Sequence, residues 1–130
     1  MKLAVSGFSH VAIRVSDFAR SRQFYVDVLG LPVMLEFEDA VVVKIGSSFM
    51  GVIGGAPETR RDDRFDPMRV GLDHVSLAVE TVEELERTKR ALDAAQVRND
   101  GIHDEPEINA KGLVFYDPDG IAVELYVIQQ

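Results

Sequence analysis

Three side chains in this sequence have the types and the placement that bind a divalent metal ion. His10 lies in the segment FSHVAIRV, and His74 lies 64 positions later in DHVSLAV, in a chain that has only 3 histidines. Glu124 lies in IAVELYV, near the C-terminus. Two neutral imidazoles and one carboxylate leave open positions on a divalent cation, which water or a substrate oxygen can fill. The residues therefore predict a two-histidine, one-carboxylate metal site.

The two histidines occupy the same position of an internal repeat. GFSHVAIRVSDF (7–18) aligns with GLDHVSLAVETV (71–82), so that His10 lies over His74. Apolar residues alternate with polar or small ones in both copies and again around Glu124, which is the period-2 pattern of a half-buried strand. By this alternation His10, His74 and Glu124 face away from the apolar side of their strands. If the two copies pair with approximate two-fold symmetry, the three side chains converge.

Each copy continues as strand, helix, strand, strand, strand. In the first copy Ser16 is the predicted N-cap of a helix that runs to about Leu29, and strand-like pieces follow at 32–38, 40–46 and 48–53. In the second copy Thr81 and Glu84 have the spacing of a capping box. They open a predicted helix to about Ala95, which precedes strand-like pieces near 97–103, 112–117 and 120–128. The turn DPDG (117–120) has type I turn residues and joins the last two strands.

The expected fold class is therefore α+β, with two tandem βαβββ modules that form a curved mixed sheet, a cup, with helices outside. Module 1 spans about 5–54 and module 2 about 70–128, and a linker of about 55–69 rich in Gly, Pro and charge joins them. One module is too small to cover its own sheet, so the two should pair into a single domain over residues 1–130.

Composition limits the partners. The chain has 22 acidic and 14 basic residues, a formal net charge of −8, which argues against a nucleic-acid or anionic membrane ligand. The absence of cysteine excludes a thiolate nucleophile and cysteine-ligated metals. No segment reads as a signal peptide or as a membrane span, so we expect a cytoplasmic protein.

FSHVAIRVSDFARSRQFYVDVLGLP, GLDHVSLAVETVEEL and VFYDPDGIAVELYV together resemble the vicinal oxygen chelate superfamily, from about Gly7 to Val127. Its members include glyoxalases, extradiol dioxygenases, fosfomycin-modifying enzymes and bleomycin-resistance binding proteins. The resemblance implies paired βαβββ modules, commonly in a homodimer, and metal ligands at His10, His74 and Glu124. It also implies one divalent metal ion (Fe, Mn, Ni or Zn) that takes two adjacent oxygens of a small-molecule substrate.

The resemblance is less specific for the reaction. The alignment of 41–53 over 113–125 places Val52 against Glu124, with Gly51 beside it, where glyoxalase-type members have a carboxylate or amide. The extradiol dioxygenase signature is matched at Leu113, Asp117, Pro118, Gly120 and Glu124, but Val114 stands where that signature has Tyr. The fosfomycin-modifying branch shares the three ligands, yet this chain has no basic tail after Glu124.

Three residues are candidates for an acid or base beside the metal: His103, Glu36 and Tyr126. Tyr126 shares the strand face of Glu124, and the acidic DEPE that follows His103 suggests that this histidine lies in a solvated loop. Two functions stay open at this point. One is a metal-dependent lyase, isomerase, dioxygenase or group-transfer enzyme, and the other is a small-molecule binding protein without catalysis. It is also open whether the modules pair within one chain or exchange with a partner chain.

Overall fold

The computed structural model describes residues 1–130 and divides into two compact units, Met1–Asp63 and Arg64–Gln130. The boundary between them falls inside the predicted linker, 55–69. Both units have the element order strand, helix, strand, strand, strand, which confirms the α+β class and the two βαβββ modules. The pairing of these modules around one cup stays a prediction.

The first unit contains one mixed four-stranded sheet and one helical segment. Its strands are β1 (His10–Arg14), β2 (Val33–Glu36), β3 (Ala40–Ile45) and β4 (Ser48–Ile53). They lie in the order β1-β4-β3-β2, with β1 and β4 parallel and the other pairs antiparallel. The helical segment begins as α1 (Phe18–Arg22) and continues as a π-helix (Gln23–Val28).

The predicted start and interior of this helix were both wrong. Asp17 rather than Ser16 is the N-cap, because its carboxylate accepts the backbone N–H of Arg20 at 3.2 Å. The last part is π-helical instead of α-helical, with the N–H of Leu29 bonded to the carbonyl of Phe24 at 2.9 Å. In this segment the consecutive rings of Phe24 and Tyr25 are both buried, and they meet edge to face at 5.0 Å.

The second unit has the same sheet order, with a longer α-helix. Its strands are β5 (Val75–Ala78), β6 (Asn99–Glu105), β7 (Ala110–Tyr116) and β8 (Ala122–Ile128), and its helices are α2 (Val82–Ala94) and a 3-10 turn (Pro106–Ile108). The order is β5-β8-β7-β6, with β5 and β8 parallel. Thr81 caps α2 by accepting the N–H of Glu84 at 3.2 Å, as predicted. The predicted DPDG turn is closed by the N–H of Gly120 on the carbonyl of Asp117 at 2.9 Å.

One face of each sheet forms the core of its unit, because the apolar residues of neighbouring strands lie in register. Val41 and Val52 are opposite one another in β3 and β4, and both are fully buried. In the second unit Phe115 of β7 lies opposite Val123 of β8, and both are buried, as is Leu113 of β7. α1 contacts β4, and α2 contacts β6, β7 and β8. In the second sheet the opposite face carries the polar pair Ser76 and Glu124.

The strand register corrects one alignment between the two copies. Ala12 of β1 pairs with Gly51 of β4, and Ser76 of β5 pairs with Glu124 of β8. Since Ala12 and Ser76 occupy the same position of the repeat, the counterpart of Glu124 is Gly51 and not Val52. The predicted consequence is unchanged, because neither residue can bind a metal.

Candidate functional site

Glu124 is a partly buried carboxylate in the middle of β8. Its side chain is only 11% exposed, and its Oε1 accepts the hydroxyl of Ser76, directly across the parallel pair, at 3.0 Å. The groups that lie within ion-pair distance of it are two imidazoles, those of His74 and His103, and no lysine or arginine. A carboxylate that is held out of water needs charge compensation, and no lysine or arginine lies close enough to Glu124 to supply it.

His74 immediately precedes β5 and presents one ring nitrogen to Glu124. Its Nε2 lies 3.8 Å from Oε1 of Glu124, and its Nδ1 lies 2.7 Å from the carboxylate of Asp73. Because an ionised carboxylate can only accept, the hydrogen bond places the ring proton on Nδ1, and the Nε2 of the neutral imidazole then carries a lone pair. A carboxylate behind a histidine in this way also orients a metal-binding imidazole.

His103 is in strand β6, so the sequence-based placement in a solvated loop was wrong. Its Nε2 lies 3.6 Å from Oε2 of Glu124 and 3.5 Å from Oε1 of Glu105. The side chains of His74 and His103 are 44% and 39% exposed, so a small molecule can reach both rings. The second unit thus brings two of the three predicted metal ligands, His74 and Glu124, together with two of the three predicted acid–base candidates, His103 and Tyr126.

Gly112 makes this arrangement of side chains sterically possible. It lies in β7 directly between His103 of β6 and Tyr126 of β8. A Cβ at this position would lie 2.5 Å from the ring Cε1 of His103 and 2.9 Å from Oε2 of Glu124. Residue 112 therefore has to be a glycine for His103 and Glu124 to approach each other over the strand. The sequence carries a signal for this, since glycine inside a strand often marks a close approach.

Tyr126 acts as a hydrogen-bond donor in this cluster. Its hydroxyl donates to Oε2 of Glu105. That hydrogen bond, together with burial and the negative charges of Glu105 and Glu124, raises the pKa of Tyr126 to about 12. Tyr126 is therefore protonated at neutral pH, which suits it to donate a hydrogen bond rather than to act as a base.

The remaining predicted residues lie in the first unit. His10 opens β1, and its Nδ1 lies 3.0 Å from the hydroxyl of Ser9. Glu36 lies at the end of the edge strand β2 and forms an ion pair with Arg22. This hydrogen-bonded ion pair lowers the pKa of Glu36, which makes its carboxylate a weaker base than an ordinary one.

The chain contains no group of three or more His, Asp or Glu side chains arranged so that they could hold a metal ion by themselves. What the second unit provides is a pair of suitable donors, the Nε2 of His74 and the Oε1 of Glu124. Ser76, Glu105 and Gly112 belong to the same cluster and were missed by the sequence analysis, since only the strand register reveals their neighbours.

The sequence profile described as the Glyoxalase/Bleomycin resistance protein/Dioxygenase superfamily matches residues 7–125. The chain belongs to this superfamily. Among curated relatives, the uncharacterized protein YwkD of Bacillus subtilis is 28% identical over 131 residues, which cover 95% of this chain and 98% of YwkD. No function comes with that similarity.

Solved structures of this superfamily have the same fold. A glyoxylase/bleomycin resistance protein/dioxygenase domain from Frankia is 25% identical with a TM-score of 0.82, over 98% of this chain and 95% of that one. A fosfomycin resistance protein, FosX, from Listeria monocytogenes was solved with Mn(II) and a dihydroxypropylphosphonic acid. It has a TM-score of 0.71 at 17% identity, over 94% of this chain and 90% of its own. At that identity the similarity to FosX shows the fold alone.

None of the helices has the length and the apolar character that crossing a lipid bilayer would require.

Proposed function

We propose that this superfamily member is a divalent-metal-dependent enzyme that acts on a small, oxygen-rich metabolite. The single observation that carries the proposal is the pair formed by His74 and Glu124. A ring nitrogen that is left as an acceptor by Asp73 faces a carboxylate oxygen at 3.8 Å, with no lysine or arginine beside the carboxylate. Two acceptors that face each other repel, unless a proton or a metal cation lies between them.

The donor chemistry fits a transition-metal ion. Imidazole nitrogen and carboxylate oxygen are ligands that Fe, Mn, Ni and Zn all accept, so the donors do not select among these metals. For Zn²⁺, bonds to such atoms are about 2.0–2.2 Å long. The separation of 3.8 Å is shorter than two such bonds, so one ion can bridge His74 and Glu124 after small side-chain movements.

We assign the third ligand to His10. This assignment rests on the repeat, because His10 and His74 hold equivalent positions and each has its Nδ1 beside a polar side chain of the preceding residue. His10 joins the site either within one chain or from the other chain of a homodimer. Manganese bound to FosX supports the choice of Mn(II) as the first metal to test.

When bound, the metal would polarise two adjacent oxygens of the substrate and stabilise the negative charge that develops there. The chain's own residues supply the proton chemistry. His103 is the best placed of the three acid–base candidates, because its Nε2 lies beside Glu124. Tyr126 serves as a donor within the same cluster, whereas Glu36 is committed to its ion pair with Arg22. Such a residue contributes about 10²–10⁴-fold to a rate.

Substrate, reaction class and assembly follow from the superfamily only as proposals. We propose a lyase, isomerase, dioxygenase or group-transfer reaction on a small molecule, in a cytoplasmic homodimer. The second candidate function is a binding protein that sequesters a small molecule without catalysis, of the bleomycin-resistance type. The superfamily description, which includes bleomycin resistance proteins, supports this alternative.

Metal analysis tests the proposal. Protein purified without added metal is assayed by mass spectrometry for Fe, Mn, Ni and Zn, and metal-free protein is titrated with Mn²⁺ and with Zn²⁺ by calorimetry. We expect about one ion per chain in the wild type and none in His74→Ala or Glu124→Gln. Glu107→Gln is the matched control, since it removes one acidic charge from an exposed turn of the same unit.

A wild-type chain that binds neither Mn²⁺ nor Zn²⁺ would favour the sequestering protein. Turnover separates the two functions further. A panel of hydroxycarbonyl, catechol and epoxide compounds is incubated with the metal-loaded protein, and an enzyme consumes one of them only while His74 is intact. A sequestering protein binds a compound without changing it.

A further inference from the structure

The hydroxyl of Ser76 has a partner that strand pairing does not require. Ser76 and Glu124 are opposite one another in the parallel pair of β5 and β8, and the hydroxyl donates to Oε1 at 3.0 Å. The equivalent pair of the first unit is Ala12 and Gly51, which hold β1 and β4 together in the same register. A hydroxyl at this position is thus unnecessary for the fold, and it is present in the copy that has the carboxylate.

The hydrogen bond acts on the carboxylate oxygen that faces His74. Each carboxylate oxygen has two lone pairs, so Oε1 can accept the Ser76 proton with one and keep the other for a cation. The terminal torsion of a glutamate is soft, and an unheld carboxylate would rotate freely. At Glu124 one oxygen is held by Ser76 at 3.0 Å, while the other lies 3.6 Å from His103, beyond an ordinary hydrogen bond.

We propose that Ser76 is a positioning residue for metal binding. Its hydroxyl fixes the plane of the Glu124 carboxylate so that Oε1 directs its free lone pair toward the ion held by His74. The inference rests on the proposed function, because it assumes that Glu124 is a ligand. It assigns to Ser76 the role of a hydrogen-bond partner behind a ligand, and the loss of such partners lowers metal affinity about 10–100-fold.

The test compares metal affinity in variants that change the hydroxyl and little else. Metal-free wild type, Ser76→Ala, Ser76→Val and Ser76→Thr are titrated by calorimetry with Mn²⁺ or Zn²⁺, whichever the wild type binds more tightly. Valine and threonine have the same shape and suit a strand equally well, but only threonine keeps a hydroxyl. Ser47→Ala is the control, because Ser47 is exposed in the turn before β4 of the first unit.

We expect Ser76→Ala and Ser76→Val to bind the metal about 10-fold more weakly than wild type. Ser76→Thr and Ser47→Ala should retain wild-type affinity, and all four variants should unfold thermally near the wild-type temperature. Equal affinity in wild type and Ser76→Val would overturn the role of Ser76 and leave the metal-dependent function standing. Absence of binding in the wild type would overturn both.

Discussion

The two units of this chain have the same sheet order and pairing directions, yet their polar faces carry different residues at equivalent positions. The register of the first unit pairs Ala12 with Gly51, and that of the second pairs Ser76 with Glu124. The same register makes Ala40 the counterpart of Gly112. The two sheets therefore share one register, while only the second has a hydroxyl and a carboxylate at these paired positions.

The histidine, by contrast, is common to both copies. Gly7 and Gly71, three residues before each histidine, have nearly identical backbone angles φ of +142° and +145°, in a region that favours glycine. His10 and His74 each have Nδ1 beside the preceding polar side chain. The histidine is thus a feature of both copies of the repeat, whereas the carboxylate and its hydroxyl partner are present in the second unit alone.

The second unit also carries most of the negative charge of the chain. The second unit holds 14 of the 22 acidic residues but only 7 of the 14 basic ones, a formal net charge of −7. A negative field of this kind raises the local concentration of cations and opposes anions. It favours a divalent ion at His74 and Glu124 over a direct anion site in the second unit.

The largest effect is expected from Gly112→Ala. The new methyl group would displace His103 and Glu124, because its carbon would lie 2.5 Å from the ring and 2.9 Å from the carboxylate. Both neighbours are side-chain ends that can move, so we expect stability to change little and metal affinity to fall at least about 10-fold. Calorimetric titration measures the affinity, and thermal unfolding measures the stability.

Gly51→Ala in the first unit is the control for Gly112→Ala, because it adds the same methyl group to a glycine inside a strand. Its Cβ would find Ala12 Cβ at 3.4 Å, which is an ordinary contact. The metal affinity should therefore stay at the wild-type value. If the two alanine variants lose affinity equally, or neither loses any, the difference drawn here between the two polar faces is wrong.

A smaller effect, on stability, is expected when the N-cap residue of either helix is removed, and its dependence on pH should differ between the two caps. Removal of either cap, by Thr81→Ala or Asp17→Ala, should cost about 1 kcal/mol of unfolding free energy at pH 7. The pKa of Asp17 is lowered by the hydrogen bond from the backbone N–H of Arg20 and by the side chain of Arg61, although desolvation acts in the opposite direction. The stabilisation that the ionised Asp17 cap provides is therefore fully present above the unfolded-state pKa of about 3.9. It is lost as the pH falls through the lower folded-state pKa.

The measurement is denaturant unfolding followed by circular dichroism at pH 7 and at pH 3. The cost of Asp17→Ala should be smaller at pH 3 than at pH 7, whereas that of Thr81→Ala should be the same at both. A pH-independent cost at Asp17 would mean that its carboxylate does not contribute as an ionised cap.

The smallest effect is expected from Ser21→Ala. The Oγ of Ser21 is buried in the first unit and has no hydrogen-bond partner, unlike Glu124 in the second. A buried hydroxyl without a partner costs about 1–3 kcal/mol of desolvation, part of which is offset by the packing that its oxygen provides. The variant should be as stable as wild type or up to about 1 kcal/mol more stable, with unchanged metal affinity. A clear loss of stability would show that the oxygen has a partner.

The sequence alone was enough to predict the repeat, the order of elements along each copy and the buried face of β8. These follow from the spacing of apolar residues within single segments, as in Val123 and Val127 on either side of Glu124. The Thr81 cap and the DPDG turn were predicted for the same reason, because their partners lie within three residues in the chain.

The features that the sequence did not predict depend on neighbours in other strands. A shift of one residue in register decides whether Gly51 or Val52 matches Glu124, and no pattern within β4 contains that information. The roles of Ser76, Glu105 and Gly112 arise from side chains on adjacent strands. His103 was nominated by its chemistry, but its strand is rich in polar residues and resembles a loop.

Anomalous diffraction from crystals grown with Mn²⁺ tests the central claim most directly. The account predicts a manganese peak within direct bonding distance of both the Nε2 of His74 and the Oε1 of Glu124. The imidazole of His10, from the same chain or from a second one, should complete the ligand set. A peak that contacts neither His74 nor Glu124, or no peak in crystals of protein that binds Mn²⁺ in solution, would contradict it.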